Sequence, residues 1–218
     1  MTAKTATEEL ELIDVGHDDR GPDEPRPGGN GDGAALPAMP QHAYLTGIIL
    51  ALAAISMFFL ALTSSFIVRK GLADDWVAFP LPPILWLNTA ILLGSSVTLE
   101  RARRELRRGE RGGFQRWWAL TTALGLGFLA GQLIAWQQLA AAGVFLASNP
   151  SNSFFYVLTG THGLHLLGGV IALGVVGFRR RREDARLSQT TAARVAGIYW
   201  HFMGGLWVYL LLLLLLGQ

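Results

Sequence analysis

Five long apolar runs, separated by polar or charged segments, organise the chain at roughly 43–68, 81–99, 117–139, 154–178 and 195–217. Each holds 19 to 26 residues. A helix rising about 1.5 Å per residue needs about 20 residues to cross a hydrocarbon core of about 30 Å. None of the runs alternates with period two, as a strand of an outer-membrane barrel would. The pattern predicts an all-α integral membrane protein, with five transmembrane helices in one domain at 41–218. Before it lies a segment at 1–40 with nine acidic groups and a Pro/Gly-rich stretch from Gly21 to Pro40. Such a segment buries little apolar surface and is expected to be flexible, with a short helical pattern only at 8–14.

Charge adds an orientation. Of 18 basic residues, 16 fall before the first run, between the second and third (Arg101 to Arg116), or between the fourth and fifth (Arg179 to Arg194). These regions share one side of a five-span protein, and the other side has only Arg69 and Lys70. By the bias of short loops, the amino terminus is expected in the cytoplasm and the carboxyl terminus outside. The basic excess therefore records topology and is not a sign of nucleic-acid binding. The chain has no Cys, which removes disulfides, thiolate catalysis and Cys-based metal sites. No short apolar segment with a cleavage site follows Met1, so the first run is expected to direct insertion itself.

Arg69 and Lys70 stand on the side that should carry few cations. They call for compensation from Asp74 and Asp75 or from lipid phosphates, and Arg101 and Arg104 are further candidates for headgroup contact. Trp76, Trp86, Trp117 and Trp118 fall where interfacial aromatic residues are expected. Within the runs, Asn88, Thr89, Ser95, Ser96 and Thr98 suggest that the second faces protein. Gly127 and Gly131, spaced four apart, give the third a small-residue face, and the amide of Gln132 beside them needs a protein partner. The connection at 140–153 is short and uncharged, which leaves little to recognise a soluble substrate.

Histidine inside membrane-length segments is the most informative feature, because hydrocarbon offers no water to an ionisable group. His162 lies about 12 Å from the outer end of the fourth run and His165 about 17 Å, three apart and expected to share a face. His201 lies about 9 Å from the inner end of the fifth run, near the depth of His165, so the two are expected to face each other or a common polar neighbour. The residues alone leave three readings open. They can be imidazoles held by helix contacts, with Gly160, Gly163, Gly168 and Gly169 allowing close approach. They can be a proton relay, or ligands of a metal or haem. The absence of carboxylate, Lys or Arg from these runs weighs against a pump or an independent transporter.

Around these histidines the chain resembles subunit III of the haem–copper respiratory oxidases. Phe155-Tyr156-Val157-Leu158-Thr159-Gly160-Thr161-His162-Gly163-Leu164-His165 is similar to the family's Phe-Tyr-x-x-Thr-Gly-Phe-His-Gly-x-His segment, and Tyr199-Trp200-His201-Phe202 to its Tyr-Trp-His-Phe signature. Leu87-Asn88-Thr89, Ser95-Ser96, Gly131-Gln132 and Met57-Phe58-Phe59 add to the likeness, which covers about 42–217. The resemblance implies a five-helix subunit III bundle in the bacterial inner membrane. It implies no catalytic centre, no haem, no copper and no other metal in this chain. Haem and copper are expected in partner subunits, with subunit I packed directly against the chain, subunit II in the same complex, and phospholipid bound. The implied role is to stabilise an oxidase that reduces oxygen to water and to support its proton uptake. A quinol oxidase or a nitric-oxide-reductase-related complex is the alternative. The family often carries Glu where Ile55 and Ala135 stand, and Asp where Gly204 stands. A carboxylate partner for His165 or His201 is thereby lost, and the histidines are expected to serve packing and hydrogen bonding.

Overall fold

The computed structural model describes residues 41–72, 81–146, 149–178 and 185–217. The readings made for 1–40, for Asp74, Asp75 and Trp76, and for the arginines at 179–182 lie outside these residues. The described residues form five helices: α1 (Gln41–Leu72), α2 (Ile84–Arg108), α3 (Arg111–Ala141), α4 (Pro150–Phe178) and α5 (Ala185–Leu216). Every helix outlasts the apolar run that predicts it. Thus α3 begins six residues before Trp117 and α5 ten before Val195. Arg, Glu and Gln are good helix formers, so backbone hydrogen bonding continues where hydropathy stops.

Local signals set the ends. Pro82 and Pro83 precede α2, and their carbonyls accept from the amides of Leu85 and Trp86, both at 3.1 Å. Gly109 ends α2 in the left-handed region at φ 80°, where the absence of Cβ removes the steric cost. The amide of Glu110 then reaches back to the carbonyl of Glu105 at 3.0 Å. Only Gly109 and Glu110 separate α2 from α3, so the two fold back as an antiparallel hairpin. Gly143, at φ 79°, similarly closes α3. Pro150 opens α4, at the first helical position where a missing N–H costs nothing.

Helices α2 to α5 form a ring, α2 touching α3 and α5, and α4 touching α3 and α5. Helix α1 lies outside it and meets only α4 and α5. Four helices, α1, α3, α4 and α5, are long and apolar enough to cross a membrane. The expected fifth crossing, α2, falls short by that measure. Its apolar part ends at Leu99, after about 24 Å of helix, and Arg101, Arg103, Arg104, Arg107 and Arg108 fill its last turns.

Helix contacts are tightest where glycine meets a side chain of a neighbouring helix. The buried side of α3 runs Phe114, Trp118, Thr121, Gly125, Phe128, Gln132, Ala135 and Leu139, steps of three and four that follow one stripe, with Gly131 beside Gln132. Glycine matters on this stripe at Gly125, where a Cβ would stand 2.6 Å from the Trp200 ring and 2.9 Å from Val170. Gly131 lies against the Asn88 amide just as tightly. The expected Gly127–Gly131 face is corrected: Gly127 looks outward, with nothing within 4 Å of its would-be Cβ. Trp118 also departs from expectation. It is buried between helices and does not face outward as a belt residue would, and its indole N–H donates to the Leu173 carbonyl at 2.7 Å.

The charged end of α2 is tied to itself and to α5. Glu100 accepts from Arg103 at 3.1 Å, Arg104 at 3.4 Å and Arg107 at 3.0 Å. Burial pushes the Glu100 carboxyl up, but the Arg103 charge and the hydrogen bonds from Arg104 and Arg107 outweigh it and hold the group below its ordinary value. The Arg103 side chain lies over Gly197 of α5.

Two outcomes follow from this packing. Gly125→Ala is expected to lower stability by about 1–3 kcal/mol through overpacking, whereas Gly127→Ala should be neutral or stabilising by up to about 1 kcal/mol; thermal unfolding of the two variants beside the parent checks this. The depressed Glu100 value means that its ionised cluster stabilises the fold above the ordinary carboxylate pKa and is lost as pH falls through the lower folded one. The difference in melting temperature between parent and Glu100→Gln should therefore be full at pH 7 and vanish only on acidification below 4.5, the ordinary value.

Candidate functional site

The three membrane histidines occupy three different surroundings. His162 is fully buried, its ring 5.9 Å from Phe128 of α3 and 5.2 Å from Trp207 of α5. His165 turns to α1, 6.5 Å from Phe58 and 5.7 Å from Phe59 between ring centres. A residue three along a helix is rotated by about 60°, and here that rotation separates the inside of the ring from its α1 side. The expected common face is thus corrected. His165 Nδ1 lies 2.8 Å from the Thr161 carbonyl; a carbonyl only accepts, so Nδ1 carries the proton.

His201 is corrected as well. It is exposed, not buried, and its charged neighbours are Arg103 and Glu100 of α2. It does not meet His165. Gly197, one turn earlier on α5, is the residue beneath Arg103, which places His201 beside the arginine-rich end of α2. The histidines do not converge as a ligand set would. Among the described residues no group of three or more His, Asp or Glu side chains is placed to hold a metal ion.

Tyr199 and Trp200 act across helices. The Tyr199 hydroxyl donates to the His165 carbonyl at 2.8 Å, and its ring covers Gly169. Trp200 is fully buried and donates to Ser95 Oγ at 2.9 Å. Of the glycines expected to admit a neighbour, Gly169 meets Tyr199 and Gly160 meets Trp136, while Gly163 and Gly168 have nothing within 4 Å. Trp136 and Trp207 belong to neither histidine motif. The indole of Trp136 donates to Thr159 Oγ1 at 3.2 Å and that of Trp207 to Thr89 Oγ1 at 3.0 Å. The seven-residue step from Trp200 to Trp207, matched by the six-residue step from Thr89 to Ser95, was the available signal.

Asn88 and Gln132 are buried, as their polarity in an apolar run requires of protein-facing groups. The residues that stand where the family often has acids are spread out. Ile55 is one turn before Phe59 on α1, Ala135 is buried on α3 near Gln132, and Gly204 lies near Ser96. Among the candidate headgroup contacts, Lys70 Nζ donates to the Leu216 carbonyl at 3.1 Å, which ties the end of α1 to the negative end of the α5 dipole. Arg101 stacks over the Trp117 ring at 4.9 Å, Arg104 pairs with Glu100, and Arg69 is exposed at the end of α1.

Comparison with known proteins agrees with this arrangement. Residues 38–216 match the family model described as cytochrome c oxidase subunit III. A cytochrome c oxidase subunit 3 of Synechocystis is 32% identical over 176 residues, which cover 78% of this chain and 74% of the relative. A probable cytochrome c oxidase subunit 3 of Nocardia farcinica is 34% identical over 166 residues, 74% of this chain and 82% of the relative. One from Mycobacterium tuberculosis is 33% identical over 172 residues, 75% and 83%. With four membrane-length helices and bacterial relatives, this is a multi-pass protein of the bacterial inner membrane. The matched span, the two histidine motifs and the five-helix bundle lead to one assignment: the chain belongs to the cytochrome c oxidase subunit III family.

Proposed function

We propose that the chain is the non-catalytic accessory subunit of a cytochrome c oxidase-type haem–copper oxidase, packed against subunit I, with subunit II in the same complex. The observation that carries this reading is the use made of the signature residues. His162, His165, Tyr199 and Trp200 all serve contacts between helices, and His201 faces outward. The names of the bacterial relatives favour cytochrome c over quinol as the donor of the complex. In that complex the subunit steadies subunit I and supports proton uptake during reduction of oxygen to water.

The same reading assigns α2 as a fifth crossing, with the amino terminus inside and the carboxyl terminus outside. Its support is the charge bias and the outward Trp86, Leu87, Leu93 and Val97, which suit lipid or a partner's apolar surface. A segment too short by itself is accommodated by pairing with α3 and by arginines that reach the headgroups. Phospholipid headgroups on the inner side are the proposed partners of Arg101 and Arg104, and on the outer side of Arg69 and Lys70.

His201 marks the docking face. It shares an exposed α5 stripe with Gly205 and Leu212, edged by Tyr209, whose hydroxyl donates to Thr63 Oγ1 of α1 at 3.1 Å. A polar ring on such a stripe at membrane depth is best covered by protein.

His201→Ala is expected to lower the yield of complex recovered through subunit I several-fold, leaving turnover per assembled complex near that of the parent. Normal yield with abolished turnover would contradict the packing role, and haem retained by the purified chain alone would contradict the accessory role. For topology, the Cys-free chain permits single-cysteine labelling with a membrane-impermeant maleimide. Pro83→Cys and Phe145→Cys should react from outside and Glu110→Cys only after permeabilisation; reaction of all three from one side would remove α2 and α3 as crossings.

A further inference from the structure

Asn88, Gln132 and His162 are 0%, 3% and 0% exposed, and both polar side-chain atoms of each lack a hydrogen-bond partner within the protein. They come from α2, α3 and α4, and cross-helix contacts put them at one depth. Asn88 lies against Gly131, the residue before Gln132. Trp136 bonds to Thr159 across α3 and α4, and Gly125 faces Val170. Both pairs set Gln132 level with His162. Trp207, which packs on the His162 ring, bonds to Thr89 beside Asn88. Three helices thus each bring one uncharged polar side chain to one layer of the interior.

Stranding so many donors and acceptors would cost about 1–3 kcal/mol for each polar group, and in native proteins such groups are paired with protein or ordered water. Lipid cannot pair them. Phe128 and Trp207 wall the imidazole with apolar ring surface, and an acyl chain supplies neither donor nor acceptor. The groups present both kinds of chemistry: each amide has two N–H donors and a carbonyl acceptor, and neutral imidazole has one of each. Water, with two donors and two acceptors, is the small molecule that answers all three.

We propose that Asn88, Gln132 and His162 close around internal water, a hydrated layer sealed inside α2, α3, α4 and α5 and independent of the subunit's role in the oxidase. The water pins three helices through one shared hydrogen-bond network. Its directional demands select the rotation of each helix about its own axis, which apolar packing in lipid specifies only weakly.

The test uses the assembled complex, imaged by electron cryomicroscopy at a resolution that shows ordered water, together with thermal unfolding of the full-length chain. Density within hydrogen-bond reach of at least two of the three side chains is expected. Direct bonds among Asn88, Gln132 and His162 with no intervening density would overturn the proposal. Among variants, Asn88→Leu keeps the shape but removes the polar end, whereas Asn88→Ala leaves room for further water. The Leu variant should therefore melt at the lower temperature. If the side chains bond directly, both variants lose the same bond and Ala also loses packing, so Ala melting lower would refute hydration.

Discussion

In lipid, helices gain almost nothing from hiding apolar surface from one another, so something directional has to fix how they meet. Here it is the indole N–H. Trp118 and Trp136 on α3 each donate to α4, and Trp200 and Trp207 on α5 each donate to α2. Each bond joins two helices at a defined height and removes a buried donor that hydrocarbon would leave unpaired. The broad rings rest on sites cleared of side chains, Trp118 on Gly177 and Trp200 on Gly125 and Gly169. Glycine and tryptophan are thus complementary halves of one contact. Their pairing gives the ring of α2 to α5 a register that hydropathy cannot supply.

That dependence explains what was legible in the sequence. Length and apolarity suffice to announce a helix, and all five helices appeared where the runs predicted, four of them long and apolar enough to cross a membrane. Their ends did not, because helical hydrogen bonding carries on through Arg and Glu after the apolar signal has stopped. Trp118 was misplaced for a physical reason: an amphipathic ring beside a charged loop suits an interface and a helix contact equally well. Only the carbonyl of Leu173, 55 residues away, decides between them. Gly127 was misread because spacing identifies a stripe but not the direction in which it points.

The histidines show the same limit. Their depth along the chain was readable, their rotational phase was not. His162 points to Phe128 and Trp207, His165 to Phe58 and Phe59, and His201 outward beside Arg103. Which neighbour each meets depends on the order of helices around the ring, a property of the whole fold. The family motif therefore identifies the protein more securely than it explains its residues. Residues clustered in sequence are dispersed in space, each serving a different helix junction.

Helix α1 touches only α4 and α5, and its Lys70 is fastened to the last turn of α5. A ribosome delivers these elements in chain order, so the first helix enters the bilayer when none of its partners exists. It must reside there without either partner until α4, and after it α5, has emerged. Its composition suits that wait: only 6% of its most apolar window is buried within the protein, so few of its residues depend on the other helices for cover. The carbonyl of Leu216 lies 146 residues beyond Lys70, so the latch on α1 closes only after α2, α3, α4 and α5 have all been made.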